Sequence, residues 1–448
     1  MAESKRPNIV FVFADDWGWG DLSCYGHQFV KTPNLDRLAS QGILFSQFYV
    51  CSGVCSPSRA AVMTGRFPAH WGIHGHFARH EQNALRGMPD WLDPDATTIT
   101  GLLQQSGYAV GHFGKWHLGS GEEAPNTTAY GIDESKTFNA VGPPIEIPEG
   151  RSQSTEVIID ETISFIEKHQ DEPFFVQAWL LDTHATLDPT EEQMEPYMNF
   201  TAQGLEDKHK GALRIYYSVV TNADYHIGRL MDRLDQLGLS DNTIVIFSAD
   251  NGPEDIHVRN ASHSGVGSSG PFRGRKRSLY EGGVRTPFIL RWPGSGGPKG
   301  KVDNTTPLCA VDLLPTFCTI AGIDIPDNIG LQGEDMTAAF RGNPVDRTTP
   351  LMWEWRFRVH GHCLHKSPIL SIREGDWKLL LNPDRSRVEL YNIPADPMEL
   401  VNHAKFEETL VKQMSEHVMD WQATLPEGPI DDDAGSNAYP WPGTIFQS

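Results

Sequence analysis

No apolar run in this chain of 448 residues is long enough to cross a bilayer, which argues against a membrane-spanning helix. Cysteine is scarce. The six, Cys24, Cys51, Cys55, Cys309, Cys318 and Cys363, are too sparse for a disulfide framework in a chain of this length. Basic residues are outnumbered, with 37 Lys and Arg against 58 Asp and Glu, a formal net charge of −21. That acidity argues against nonspecific binding to nucleic acid or to an anionic membrane surface, while leaving room for a local basic pocket. No internal repeat is visible. The segment Met1 to Pro7 is short and polar and leads straight into a strand pattern, so it lacks the apolar stretch of a signal peptide. The expected location is cytoplasmic if the sequence is complete, and periplasmic or secreted if a leader has been removed.

What is present is ample material for a core, with 39% apolar and 21% charged residues, enough for two domains. Strand and helix patterns alternate, which predicts a largely parallel sheet covered on both faces. Asn8 to Ala14 is a continuous apolar run suited to a fully buried central strand. Further strands are expected at Phe174 to Leu181, Thr243 to Ser248 and Phe288 to Arg291. One helix is expected over Asn34 to Gln41, with Thr32 as its cap and Pro33 in its first turn. Longer helical faces carry Ile159, Ile163 and Ile166, and then Tyr216, Val220, Ala223, Ile227, Leu230 and Leu234. Past about Gly342 the pattern changes to short strands at Leu351 to Trp355, Ile369 to Arg373, Trp377 to Leu381 and Val388 to Asn392, then a helix near Glu407 to Trp421. The expected fold class is α/β: residues 1–345 form a large mixed, mostly parallel sheet sandwiched by helices, and residues 346–448 a smaller antiparallel sheet plus helix and an irregular tail from Pro426.

The most informative stretch is Cys55-Ser56-Pro57-Ser58-Arg59-Ala60-Ala61-Val62-Met63-Thr64-Gly65. Ser56 and Pro57 suit the opening of a helix and Gly65 its end, so Cys55 falls at a helix N-terminus, where free N–H groups and the macrodipole favour an anion. Arg59, one turn on, could fork an oxyanion. The stretch resembles the signature of the type I sulfatases of the alkaline phosphatase superfamily. The resemblance implies an alkaline phosphatase-like fold. It also implies that a formylglycine-generating maturation enzyme oxidises Cys55 to an aldehyde, whose hydrate is the nucleophile.

Asp15 and Asp16 follow the first buried strand directly, and Asp250-Asn251-Gly252 follow the strand Thr243 to Ser248. Ligand sites in open α/β sheets lie at the carboxyl ends of strands, so the two pairs can converge. Three carboxylates and an amide oxygen form a hard set suited to Ca²⁺ or Mg²⁺ and not to zinc or copper. By resemblance Asp15, Asp16, Asp250 and Asn251 match the family's metal ligands, with Ca²⁺ preferred.

Gly114-Lys115-Trp116-His117-Leu118-Gly119 and Gly274 to Pro287 resemble two further family blocks. They imply that Lys115 and Lys276 neutralise sulfate oxygens and that His117 bonds one hydroxyl of the hydrate. Glu281 and Arg285 are expected to be structural, pairing with each other or with nearby backbone. His184, just past the strand Phe174 to Leu181, is the expected contact to the sulfate ester. The proline that many relatives carry two residues later is missing here, and His257 and His263 are rivals for the same duty.

The implied reaction is attack of the hydrated aldehyde on sulfur, with protonation of the departing alcohol by His184 or Lys276. Release of sulfate then re-forms the aldehyde, with His117 as base or relay. Clustered aromatic, His and Arg residues favour a sulfated carbohydrate, with Trp17, His74, His76, Arg79, His263, Arg356, Arg358 and His360 as substrate-binding candidates. Three alternatives remain open at this point: a small aryl sulfate, a phosphate or phosphonate ester, and a noncatalytic sulfoglycan-binding role with Cys55 unmodified.

Overall fold

The computed structural model describes residues 6–138, 141–147, 150–201, 207–258 and 261–438. Among them, nine strands form the principal sheet: β1 (Asn8–Ala14), β2 (Ile43–Tyr49), β3 (Ala109–Lys115), β4 (Glu134–Phe138), β5 (Phe174–Trp179), β6 (Thr243–Ala249), β7 (Arg285–Arg291), β8 (Lys301–Asp303) and β9 (Leu308–Cys309). Their order is β4-β3-β5-β1-β6-β7-β2-β8, with β9 also pairing β2. The five strands from β4 to β6 run parallel, and β7 is antiparallel to both of its neighbours.

The apolar run of β1 is explained by burial on both faces. Ile9, Phe11 and Phe13 join one core, while Val10, Val12 and Ala14 join the other, the period of two that a pleated strand imposes. The first core includes Ala60, Ala61, Val62 and Met63 of the helix Cys55–Thr64. The second packs the helix Ser154–Lys168 and the long helix Asp207–Gln236 against the opposite face.

The helix Pro33–Ser40 forms where expected, but Thr32 does not cap it. The Thr32 hydroxyl lies 2.6 Å from Ser23 Oγ. Asp224, on the long helix, instead accepts from the N–H groups of Asn34 at 3.0 Å and Leu35 at 2.7 Å. A carboxylate at a helix start is favoured by the dipole as well as by the free N–H groups.

The smaller sheet holds β10 (Leu351–Glu354), β11 (Leu370–Glu374), β12 (Trp377–Leu381) and β13 (Val388–Asn392), antiparallel in chain order. The helix Glu408–Gln422 buries Met414 and Val418 in the same core as β11 and β12. A buried ion cluster ties this sheet to the large one: Lys378 Nζ on β12 lies 2.8 Å from Glu281 Oε1 and 3.1 Å from Glu399 Oε1. Glu281 in turn accepts from Tyr49 at 2.7 Å and pairs with Arg285 at 3.1 Å. The tail has neither helix nor strand over Pro426 to Ala438, where Arg356 holds it through Pro426 O and the Asp431 N–H. Its last ten positions, 439–448, lie outside the described residues.

Candidate active site

The strand order decides what meets at the sheet's carboxyl edge. β3, β5, β1 and β6 are consecutive and parallel, with neighbours about 4.8 Å apart. Their ends therefore bring Lys115, the His184 loop, Asp15 with Asp16, and Asp250 with Asn251 within reach of one another. The ladder continues past the strands, since Asp15 N–H donates to Asp182 O and Asp250 N–H donates to Ala14 O, both at 3.0 Å. Asp16 is in the left-handed region with φ 61°, a conformation that Asp tolerates better than most residues. That turn breaks strand alternation, and both aspartates face the same cluster.

Two close approaches fix the loops. A Cβ on Gly114, which has φ 107°, would meet Trp179 O at 2.0 Å, and one on Gly252 would meet Gly282 O at 1.9 Å. The first sets the end of β3, and so Lys115. The second holds the Asp250 loop against the segment that carries Lys276.

Cys55 begins its helix, whose ten residues are all buried. Its Sγ lies 3.2 Å from Asp15 Oδ1, and Lys115 Nζ lies 2.5 Å from Asp15 Oδ2. Lys276 Nζ stands 2.6 Å from Asp16 Oδ1, with Glu254 Oε2 at 3.7 Å. Burial alone would raise the Asp15 pKa, but Lys115, with His184, Arg59 and Lys276, holds it well below the usual carboxylate range. Burial and the neighbouring Asp15 and Asp250 push the Cys55 thiol far up. An unmodified Cys55 is thus a protonated thiol, a poor nucleophile in this setting.

Arg59 departs from expectation. Its side chain is 0% exposed, and its fork is spent on Asp250 Oδ2, at 2.6 and 3.0 Å, and on Lys115 O at 3.2 Å. It also lies 4.9 Å from the Trp179 ring and 5.5 Å from Phe13. Arg59 positions Asp250 and the end of β3 from a fully buried place.

The two histidines show which ring nitrogen is available. His117 Nε2 is 3.1 Å from Phe77 O and His184 Nδ1 is 2.8 Å from Ala185 O. A carbonyl only accepts, so each of those nitrogens carries the proton. That leaves His117 Nδ1, which is buried without a partner among the described residues, and His184 Nε2, which is 4.0 Å from Asp16 Oδ2. Burial and the adjacent Lys115 keep His117 neutral, with its pKa well below the ordinary value. The His184 side chain is 39% exposed, on the open side of the site.

Asp15, Asp16, Asp250 and Cys55 offer ligand atoms that lie within 4.8 Å of one another. Asn251 donates Nδ2 to Asp16 at 2.7 Å, while its Oδ1 is buried with no partner among the described residues. A buried acceptor without a donor is costly, and a hard cation would satisfy it. The donor set therefore fits a divalent metal ion bound through oxygen.

The substrate-binding candidates divide. His76, Arg358 and His360 line a cavity of about 350 Å³, together with Arg86, Arg277, Trp355 and Phe357. Arg79 is exposed just before the helix His80–Leu85. Trp17 must be corrected: it is 0% exposed and packs edge-on against Phe247. His74 and Arg356 are corrected as well, being buried around one carboxylate, with Glu354 Oε2 3.0 Å from His74 Nδ1 and 2.8 Å from Arg356 Nε. His263 lies in the turn Ser262–Val266 with Nδ1 closed off, and His257 is held by Asp255 at 2.7 Å. No motif surrounds Arg86 in the sequence. Arg277 stood in plain view beside Lys276.

A family model described as Sulfatase matches residues 7–323, and one described as N-sulphoglucosamine sulphohydrolase, C-terminal, matches residues 270–424. The N-acetylgalactosamine-6-sulfatase of Canis lupus familiaris is 32% identical over 76% of this chain and 67% of that protein. The N-acetylgalactosamine-6-O-sulfatase of Bacteroides thetaiotaomicron is 27% identical over 92% of each. Among solved structures, that of Ps i-CgsB in complex with k-i-k-neocarrahexaose superposes with a TM-score of 0.80 at 26% identity, covering 99% of this chain and 100% of that one.

Proposed function

This chain belongs to the sulfatase family, whose members hydrolyse sulfuric esters, and on that premise we propose that it removes sulfate from a sulfated carbohydrate at Cys55. The observation that carries the reading is the meeting of Cys55, Asp15, Lys115 and Lys276 in one buried site, reached from four separate stretches of chain. Relatives named for N-acetylgalactosamine sulfates, and a structural neighbour holding a neocarrahexaose, support a sugar as the carrier of the ester.

Asp15, Asp16, Asp250 and Asn251 would hold Ca²⁺, which supplies positive charge against sulfate oxygens and acidifies a hydroxyl beside it. Conversion of Cys55 to formylglycine by a separate maturation enzyme supplies a hydrated aldehyde, which can release its sulfate by re-forming the carbonyl. Lys115 and Lys276 bind the sulfate oxygens and orient the sulfur toward residue 55. Arg59 keeps Asp250 in place from behind. His117, neutral and tethered through Nε2, accepts a proton at Nδ1. The departing alcohol takes its proton from Lys276, which Asp16 keeps protonated against the effect of burial, or from His184 once Nε2 on the open side has itself taken one up.

The test is turnover by protein made together with a maturation enzyme, on sulfate monoesters and on their phosphate and phosphodiester analogues. Preference for a phosphate would sink the reading. A panel of defined sulfated oligosaccharides and small aryl sulfates then decides the carrier, with a sulfated oligosaccharide expected to be turned over best.

A further inference from the structure

The cavity lined by His76, Arg86, Arg277, Phe357, Arg358 and His360 neighbours the Cys55 site through Arg277 and His76. Arg277 directly follows Lys276, and its N–H donates to Gly53 O at 2.7 Å, two residues before Cys55. The His76 ring centroid is 6.4 Å from that of His117. A sugar whose sulfate is held by Lys115 and Lys276 would therefore lie beside this cavity.

The cations there differ in how fully they are paired. Arg277, at φ 76°, is clamped by both oxygens of Glu254, at 2.5 and 3.0 Å. Arg358 is 56% exposed, with Asp433 3.5 Å away. Arg86 has no carboxylate within 4.0 Å among the described residues. It donates Nη1 to His76 O at 3.1 Å and lies 5.5 Å from the Phe357 ring centroid. Burial lowers the Arg86 pKa, Asp431 acts against that, and Arg277 adds to it. Burial also drives His76 down to about 3, with Arg86, Lys276, Arg277 and Lys115 adding to the effect. The pocket thus holds three arginines, Arg86, Arg277 and Arg358, against the single carboxylate of Asp431 in its lining, with Arg86 half-buried and flat apolar walls in Trp355 and Phe357. An arginine so placed is suited to fork a planar or tetrahedral oxyanion.

We infer that Arg86, assisted by Arg358, receives a second anionic group on the sugar, a carboxylate or another sulfate, so that the preferred substrate is a saccharide carrying at least two negative groups. The inference rests on the sulfatase reading and deepens it. The test is therefore made on binding and not on turnover. Cys55→Ala protein with calcium is titrated calorimetrically with three disaccharides: one monosulfated, one bearing a second sulfate, and one bearing a uronate carboxylate in its place. The second anionic group is expected to tighten binding about tenfold or more, as one charge-assisted contact would. Whichever of the two groups gives the gain identifies the anion. Arg86→Gln is expected to erase that gain, and Arg86→Lys to keep part of it. If Arg86→Gln loses its cooperative melting transition, Arg358→Gln carries the same comparison, with a partial loss of the gain expected. Equal affinities for all three sugars, or a gain untouched by these substitutions, overturns the inference. Failure of the sulfatase reading is seen separately, as matured wild-type protein that hydrolyses no sulfate ester.

Discussion

Lys115 Nζ lies 2.5 Å from Asp15 Oδ2, and both side chains are closed off from solvent. The same carboxylate accepts from Cys55 through its other oxygen, so Asp15 joins Cys55 to Lys115. Removing one partner of a buried pair leaves a charge uncompensated, at a cost of ~3–5 kcal/mol. Lys115→Met is expected to lose that much stability in the presence of a chelator, by denaturant titration, and less in calcium, where the ion takes over as the counter-charge. Equal losses under both conditions would remove Asp15 from the metal site.

Cys55→Ala is expected to lose turnover entirely while keeping its fold. The side chain removed is small, and its one polar contact is a thiol hydrogen bond, so the stability change should stay near 1 kcal/mol, the size of an ordinary hydrogen bond. The same silence is expected of wild-type protein made without the maturation enzyme, and mass spectrometry of the Cys55 peptide separates the two forms. Full activity from protein whose Cys55 peptide is all thiol would contradict the proposed nucleophile.

The contact between the two sheets carries a pH dependence. Burial would raise Glu281, but Lys378, Arg285 and Arg373 hold it at about 2, below its ordinary 4.5. Its folded-state pKa is depressed, so the stability it contributes is present above pH 4.5 and is lost as the pH falls toward 2. Glu399 moves the other way, raised by burial despite Lys378. Its charge is a burden at neutral pH that protonation relieves, so it cannot account for acid lability. Denaturant midpoints measured from pH 5 to pH 3 are expected to fall for wild type and to fall less steeply for Glu281→Gln, which starts lower. A steeper fall in the variant would show that the acid lability lies elsewhere.

Much of this was legible in the sequence because it is written in local pattern. The apolar run Asn8 to Ala14 with Asp15 and Asp16 at its end marks a buried strand with two carboxylates at its carboxyl end, and both are where the pattern put them. Glu281 and Arg285 were readable as a structural pair and lie 3.1 Å apart. The strand β3 was not readable: Gly111, His112 and Gly114 weaken its β signal, and His112 is buried in it with Gln177 meeting one ring nitrogen at 2.9 Å. The errors in the site arise the same way. His74 and Arg356 have the chemistry of sugar contacts, but Glu354, far from His74 in sequence and two residues before Arg356, draws both inward, and Asp250 engages Arg59. Residue type suggests what a side chain could do, and a distant carboxylate decides what it does.

Arg59 gives the sharpest separation of charge from shape. Lysine keeps the charge but has neither the fork that holds Asp250 at 2.6 and 3.0 Å nor the planar face set against Trp179 and Phe13. If Arg59 touched the sulfate directly, Arg59→Lys would weaken substrate binding and leave metal affinity alone. Because its three hydrogen bonds go to Asp250 and Lys115 O, the expected effect runs through the metal. Calcium affinity should fall about tenfold or more, the loss expected when a partner that orients a ligand is disturbed. Calcium titration of the substrate-free protein measures this with no activity readout. A variant with wild-type calcium affinity and a raised KM would return Arg59 to the sulfate.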